Sequence, residues 1–177
     1  RHGPIISEFA KDTENETALA LQWTALQPSN ELEAVLQMNQ AENWDEFKEA
    51  LNSFHTPAQN FVFAAKDGTI AYRANGKIPI RSKGDGQLPV PGWTGEYEWK
   101  DYIPFEELPT IMNPEEGFIS TANNQVIDES YPYHITNTWA QPYRAQRIKD
   151  VLESKDNLTV NDMQELQMDT VNLQGKE

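Results

Sequence analysis

Asn60 to Arg73 reads N-F-V-F-A-A-K-D-G-T-I-A-Y-R, and its centre decides the architecture. The two runs Asn60 to Ala65 and Thr69 to Arg73 have strand character, and Lys66-Asp67-Gly68 lies between them. Asp-Gly between two such runs is a strong short-range hairpin signal, so an antiparallel sheet is expected here. Upstream, Leu19, Leu21, Trp23 and Ala25 alternate with Ala18, Ala20, Gln22 and Thr24. That period of two predicts another strand, bulky on one face and small on the other, packed on both sides. Between the two regions, Pro28-Ser29-Asn30 opens a helical pattern carried by Leu32, Val35 and Leu36. Asn43 then stands as an N-cap before Trp44, Phe47, Leu51 and Phe54, so two helices, or one bent helix, are expected over about 30–54.

Downstream of the hairpin the composition changes. From Lys77 to Pro114 the chain holds more than half of its eleven prolines, together with Gly84, Gly86, Gly92 and Gly95. An extended loop region is expected, anchored by Trp93, Tyr97, Trp99 and Phe105 rather than by regular ladders. Loops this long in a compact protein are usually functional or cover a partner surface. Gly117 to Asn124 (G-F-I-S-T-A-N-N) returns to strand character. Pro142 to Leu152 reads as a helix with Ile148, Val151 and Leu152 on its buried face, and Thr159 with Asp162 forms a capping-box pattern for a last helix through Met163, Leu166 and Thr170.

Composition narrows the function. At 177 residues and 20.2 kDa one core is the default, and residues 1–177 are read as a single segment. The net charge of −14 and pI near 4.5 exclude a general phosphate-backbone binder and argue against docking on an anionic membrane. Neither nucleic acid nor membrane is therefore expected as a partner. Five Trp, six Tyr and seven Phe supply core material that disordered acidic tails lack. Zero Cys excludes disulfides and thiolate catalysis. No apolar run spans a bilayer, and Arg1-His2-Gly3-Pro4 carries no signal-peptide pattern.

No self-contained active site declares itself by motif. His2, His55 and His134 lack zinc-site spacing, and Ser7, Ser53, Ser82 and Ser120 stand in no nucleophile elbow. Glu106-Glu107 and Glu115-Glu116 invite a two-carboxylate glycosidase reading, against which stands their ordinary role of solvating an acidic loop. Gly84-Asp85-Gly86 lacks the helix and Lys of a phosphate loop. Asn15-Glu16-Thr17 and Asn157-Leu158-Thr159 are sequons that matter only in a eukaryotic secretory context. Two residues carry more. Asn123 closes the Gly117 to Asn124 strand, where its amide can face a developing oxyanion or simply end the strand. Arg144, one helical turn before Ile148, leans toward the buried face, which requires a partner and makes it a structural ion pair or an active-site charge. Arg147 and Lys149 point away and are expected in solvent.

Several stretches taken together resemble the penicillin acylase family of N-terminal nucleophile hydrolases. They are His2-Gly3-Pro4-Ile5-Ile6, Leu19 to Leu26, Leu88-Pro89-Val90-Pro91-Gly92-Trp93, Ile103 to Pro109 (I-P-F-E-E-L-P), Gly117 to Asn124, Tyr143 to Ile148 and Asp162 to Gln167. The resemblance runs in order along nearly the whole chain. It implies an α+β fold, a segment of a four-layer αββα sandwich of antiparallel sheets, here with a long Pro-rich loop region. It also implies a hydrolase of linear amide bonds in penicillin-like or N-acyl substrates, acting in antibiotic metabolism and exported from the bacterial cytoplasm to the periplasm or medium.

Family members mature by self-cleavage that exposes a catalytic serine at the start of the large subunit, with its α-amine as base. Residue 1 here is Arg and no matching Ser follows, so the nucleophile is expected outside residues 1–177, and these residues alone are expected to be inactive. By resemblance, Asn123 matches the oxyanion-hole amide and Arg144 the arginine of the active-site network. The implied partners are the remainder of the catalytic subunit, the small subunit of the same precursor and a small-molecule amide substrate. No cofactor is implied for the chemistry. A structural calcium ion is implied for the intact enzyme, with most ligands elsewhere; a carbonyl near Gly86 falls at one ligand position, but no Asp stands around Tyr133 and His134, so the metal residues stay unassigned. The rival class is a non-catalytic extracellular module that uses the aromatics of 93–105 to bind carbohydrate or protein.

Overall fold

The computed structural model describes residues 2–8 and 18–176, which leaves the Asn15 sequon outside the described residues. After a 3-10 turn at Thr24–Leu26 come helices α1 (Glu31–Gln40) and α2 (Trp44–Leu51), then strands β1 (Gln59–Ala64), β2 (Ile70–Asn75), β3 (Pro79–Arg81) and β4 (Trp99–Tyr102). A 3-10 turn at Phe105–Glu107 leads into β5 (Thr110–Met112), followed by helices α3 (Tyr143–Glu153) and α4 (Val160–Gln167) and a last 3-10 turn at Gln174–Lys176.

The hairpin forms as its sequence predicts. Val62 pairs with Tyr72 and Phe61 with Arg73 in an antiparallel ladder. At the turn Ala65 N donates to Thr69 O, and Asp67 Oδ1 accepts from Thr69 N, both at 2.8 Å. Gly68 takes φ +95°, a conformation that side chains with a Cβ avoid. β5 pairs antiparallel with the other edge of β2, so β2 is the central strand and the most buried one. Alternation sends Phe61 and Phe63 to one face, where α2 covers them. The Phe47 ring lies 5.2 Å from Phe63 and 6.4 Å from Phe61, Trp44 lies 5.7 Å from Phe63, and Phe54 meets Phe61 edge-on at 5.1 Å. Asn43 caps α2 as expected, its side chain accepting from Glu46 N at 3.0 Å.

A buried polar cluster lies on the same face of β2. Arg73 is fully buried; it donates from Nε to Asn75 Oδ1 (3.2 Å), from Nη1 to Thr110 Oγ1 (2.6 Å) and from Nη2 to the Phe105 carbonyl. Its guanidinium lies over the Phe105 ring, 4.0 Å from the centroid. Burial lowers its pKa, and the negative field of Glu106 opposes that shift. Asn75, also buried, donates to the carbonyls of Leu51 and Phe54 at 2.9 Å each, tying the end of α2 to the sheet. Beside it, Gly76 passes so close to Ala58 that a Cβ would stand 2.7 Å from the Ala58 Cα.

Three expectations are corrected. The strand read over 18–25 is a single β-bridge, Ile5 to Ala20, with Leu21, Trp23 and Leu26 exposed, because no described strand lies beside it to complete a ladder. The loop region from Lys77 to Pro114 contains ladders after all. β3 and β4 pair antiparallel, and with Ile78, Ile103 and Leu108 they enclose a small apolar core flanked by Ile80, Phe105, Tyr133 and Ile135. Proline stands there at a strand start and around β4 and β5 rather than within them, which removes its usual objection. Gly117 to Asn124 is irregular, with no ladder partner among the described residues. No described helix is long and apolar enough to cross a membrane.

Candidate active site

Asn123 stands in a bend, at φ +60°. Asn is among the few residues that tolerate this left-handed conformation. The segment is fastened sparingly: Asn60 Nδ2 donates to Thr121 Oγ1 at 3.2 Å, and Ala140 N donates to Asn123 O at 2.9 Å. Asn124 Oδ1 accepts from Ala122 N at 3.0 Å.

Arg144 lies on the first turn of α3, a helix that begins as predicted after Pro142, whose carbonyl accepts from Gln146 N at 2.8 Å. From that position the side chain reaches past the helix end. One nitrogen, Nη2, donates both to Ala122 O at 2.7 Å and to Asn123 Oδ1 at 2.9 Å. The two sequence-derived candidates are therefore in direct contact, although 21 residues apart in the chain. Arg144 is exposed rather than buried, because the buried side of α3 is held by Ile148, Val151 and Leu152 while the first turn projects beyond it.

This contact settles which way the Asn123 amide faces. A guanidinium has donors only, so the amide atom turned to Arg144 must be the oxygen. The NH2 group is then turned away from Arg144 and has no partner among the described residues. A fixed donor that no described residue engages is the kind of group that can stabilise charge developing on a substrate oxygen.

Arg147, expected in solvent, is instead half-buried and paired with Asp169: Nη2 to Oδ2 at 2.6 Å and Nε to Oδ1 at 3.2 Å. The hydrogen bond it donates to Asp169 holds its pKa above the ordinary arginine value. Asp169 also accepts from Val171 N at 2.9 Å, so the pair fastens the chain after α4 against α3. Lys149 is exposed as expected. The α4 capping box forms as read, and Lys155 and Thr159 hold the Asp162 carboxyl well below the usual carboxylate range.

Three clefts lie near the pair, two lined by Asn124 and one by Arg144. One of about 400 Å3 is lined by Tyr72, Ile111, Phe118, Ile119, Val126 and Asn124 among others; a second of about 420 Å3 shares Asn124 and runs to Trp139 and Ala145. A third of about 420 Å3 contains Arg144, Tyr143 and Val171.

The other candidates are occupied in structural roles. Glu106 is ion-paired with Lys48, and Glu107 accepts from the Tyr133 hydroxyl, so they do not face each other across a cleft as a glycosidase pair would. Ser7 accepts from Leu19 N at 2.7 Å, and His2 Nε2 lies 2.8 Å from Glu98 Oε1. No group of three or more acidic or histidine side chains among the described residues is placed to hold a metal. Of the aromatics offered as a binding platform, Phe105 is covered by Arg73, and Trp99 meets Arg81 and Tyr102, while Trp93 alone of the four stands largely in solvent at 83% exposure. Arg73 and Asn75 were not singled out from sequence; the available signal was an Arg between Tyr72 and Ala74 in the strand I-A-Y-R-A-N.

Comparison with known proteins adds the family. An acyl-homoserine lactone acylase (QuiP) of Pseudomonas fluorescens is 34% identical over 155 residues, 87% of this chain and 19% of that protein. The penicillin acylase 2 proenzyme of a Pseudomonas species is 31% identical over 171 residues, covering 97% of this chain and 22% of the proenzyme. Penicillin G acylase of Escherichia coli is 33% identical over 168 residues, 90% of this chain and 19% of that enzyme. The chain thus spans about a fifth of the length of these relatives, in keeping with a segment of a larger precursor. Among solved structures, the thermostable penicillin G acylase of Alcaligenes faecalis superposes with a TM-score of 0.65 at 27% identity, over 77% of this chain and 24% of that one, which fits the α+β mixture of helices and antiparallel strands. The penicillin amidase family model matches residues 1–177 in full, and the chain belongs to that family of acylases.

Proposed function

We propose that residues 1–177 are a segment of the catalytic subunit of an N-terminal nucleophile amidase, in which Asn123 donates to the oxyanion and Arg144 orients Asn123. In this reading the nucleophile is a serine supplied by another part of the catalytic subunit, its own α-amine taking the hydroxyl proton. The serine oxygen bonds to the amide carbon of a penicillin-like or N-acyl substrate, and the carbonyl π electrons move onto oxygen. Asn123 Nδ2–H donates to that oxygen. The tetrahedral intermediate collapses as the C–N bond breaks and the amine leaves with a proton, and water then releases the acyl group from serine. Arg144 moves no proton, because a guanidinium stays protonated at any working pH; it holds Asn123 Oδ1 and Ala122 O. No step runs through a metal ion.

The observation that carries this reading is the 2.9 Å bond from Arg144 to Asn123 Oδ1, which leaves the amide NH2 directed outward. The rest of the assembly belongs to the same proposal: a four-layer αββα sandwich completed by the remaining catalytic subunit and a small subunit, a location outside the bacterial cytoplasm, and no turnover by this segment alone. The test is Asn123→Ala in the full-length, processed enzyme. Loss of one such donor lowers kcat by about 10² to 10³ with a much smaller change in KM. A mature variant that kept kcat within about threefold of wild type would remove Asn123 from the oxyanion hole.

A further inference from the structure

The two adjacent amides of the Asn123-Asn124 pair are not equivalent. Asn123 leaves its NH2 without a partner among the described residues, whereas Asn124 uses both ends of its carboxamide: Oδ1 accepts from Ala122 N at 3.0 Å and Nδ2 donates to Gln125 O at 3.2 Å. We propose that Asn124 is a positioning residue that holds Asn123 in its left-handed bend and so aims the oxyanion donor; the inference rests on the oxyanion reading of Asn123.

A non-glycine residue at φ +60° persists only where its surroundings over-determine it, and such residues gather at functional sites. Three bonds hold this one. Ala140 N grips the Asn123 carbonyl at 2.9 Å, Arg144 Nη2 grips the Ala122 carbonyl at 2.7 Å, and Asn124 Oδ1 reaches back to Ala122 N. Only the last spans Asn123, linking the residue before it to the residue after it and closing a small ring around its φ and ψ. Asn124 is half-buried, so this bond is partly shielded from competing water. With it intact, Asn123 Oδ1 stays in reach of Arg144 and the NH2 keeps one direction. Without it, the bend is free to relax toward ordinary φ values, which swings the amide away. Misplacement of a catalytic group by a single ångström is enough to lose much of its effect.

The test uses the mature full-length enzyme and a chromogenic anilide, with processing checked by the mass of the catalytic subunit. Asn124→Ala is expected to lower kcat about tenfold, the equivalent of one lost hydrogen bond, and to leave KM within about twofold. Asn124→Asp keeps the oxygen acceptor and is expected to retain kcat within about threefold of wild type. If Asn124 acts through Asn123, the double variant Asn123→Ala/Asn124→Ala is no slower than Asn123→Ala alone. Additive losses, or an Asp variant as slow as the Ala variant, would overturn the inference. If Asn124→Ala does not mature, Asn124→Gln decides: its carboxamide is one methylene too long to close the same ring, so the same loss is expected, and wild-type kcat overturns the proposal. A slow Asn123→Ala beside a wild-type Asn124→Ala sinks this inference alone; a wild-type Asn123→Ala sinks the oxyanion reading and this inference with it.

Discussion

The hairpin block and the Asn123–Arg144 region are built on opposite plans. In the block, Arg73 is fully buried, and all three of its nitrogens donate to partners in the chain, while Asn75 closes the end of α2 against the sheet. In the site region an arginine of similar reach is exposed, an asparagine stands in the left-handed region, and its NH2 has no partner among the described residues. Saturated polar groups give a block its rigidity, and an unsatisfied, aimed donor gives a site its reactivity. In the proposed function the block takes no part in the chemistry.

The largest effect that sharpens this contrast comes from separating the segment from its enzyme. If the site region supplies only the oxyanion and orienting groups, purified residues 1–177 release no product from a phenylacetyl anilide or a penicillin. Turnover that survives repurification and scales with the protein would show that the segment holds its own nucleophile.

Next in size is the block itself. Arg73→Ala removes the guanidinium, leaves the buried Asn75 Oδ1 without its donor and takes a donor each from Thr110 Oγ1 and the Phe105 carbonyl. A loss of roughly 3 kcal/mol or more is expected, read as a fall in melting temperature or in the yield of soluble full-length enzyme. Unchanged stability would mean that the block is not the rigid half of the comparison.

Much of this contrast was readable in advance, and the unread part has a common cause. The hairpin, both early helices, the Asn43 cap and the Thr159 capping box depend on neighbours in sequence, and each formed where its residues pointed. What escaped depended on distant partners. The ladder of β3 with β4 joins residues about twenty apart across a proline-rich loop, and no local period signals it. The alternation at 18–25 was read correctly as alternation, but a strand needs a neighbour, and the described residues offer one bridge. The same dependence hid Arg73, whose partners come from Thr110 and Phe105, and reversed the placing of the α3 arginines: Asp169 claims Arg147, while Arg144 reaches out to Ala122 and Asn123. Asn123 and Arg144 stood out as a strand-end amide and a helix-face arginine with two readings each, the family resemblance chose between those readings, and the structure adds that the two residues touch.

A smaller change addresses the contact directly. Arg144→Lys keeps the charge but loses the planar guanidinium that serves Ala122 O and Asn123 Oδ1 together. In the mature enzyme kcat is expected to fall about tenfold with little change in melting temperature, the reverse of the Arg73 variant. Wild-type kinetics would make Arg144 peripheral to the chemistry.

The most direct measurement is a crystal structure of the mature full-length enzyme with a boronic acid bonded to its nucleophile, the tetrahedral boronate oxygen standing for the oxyanion. Asn123 Nδ2 is expected about 2.7–3.1 Å from that oxygen, with Arg144 still donating to Asn123 Oδ1. A boronate oxygen more than about 3.5 Å from Asn123 Nδ2, held by other donors while Arg144 leaves Oδ1, would contradict it.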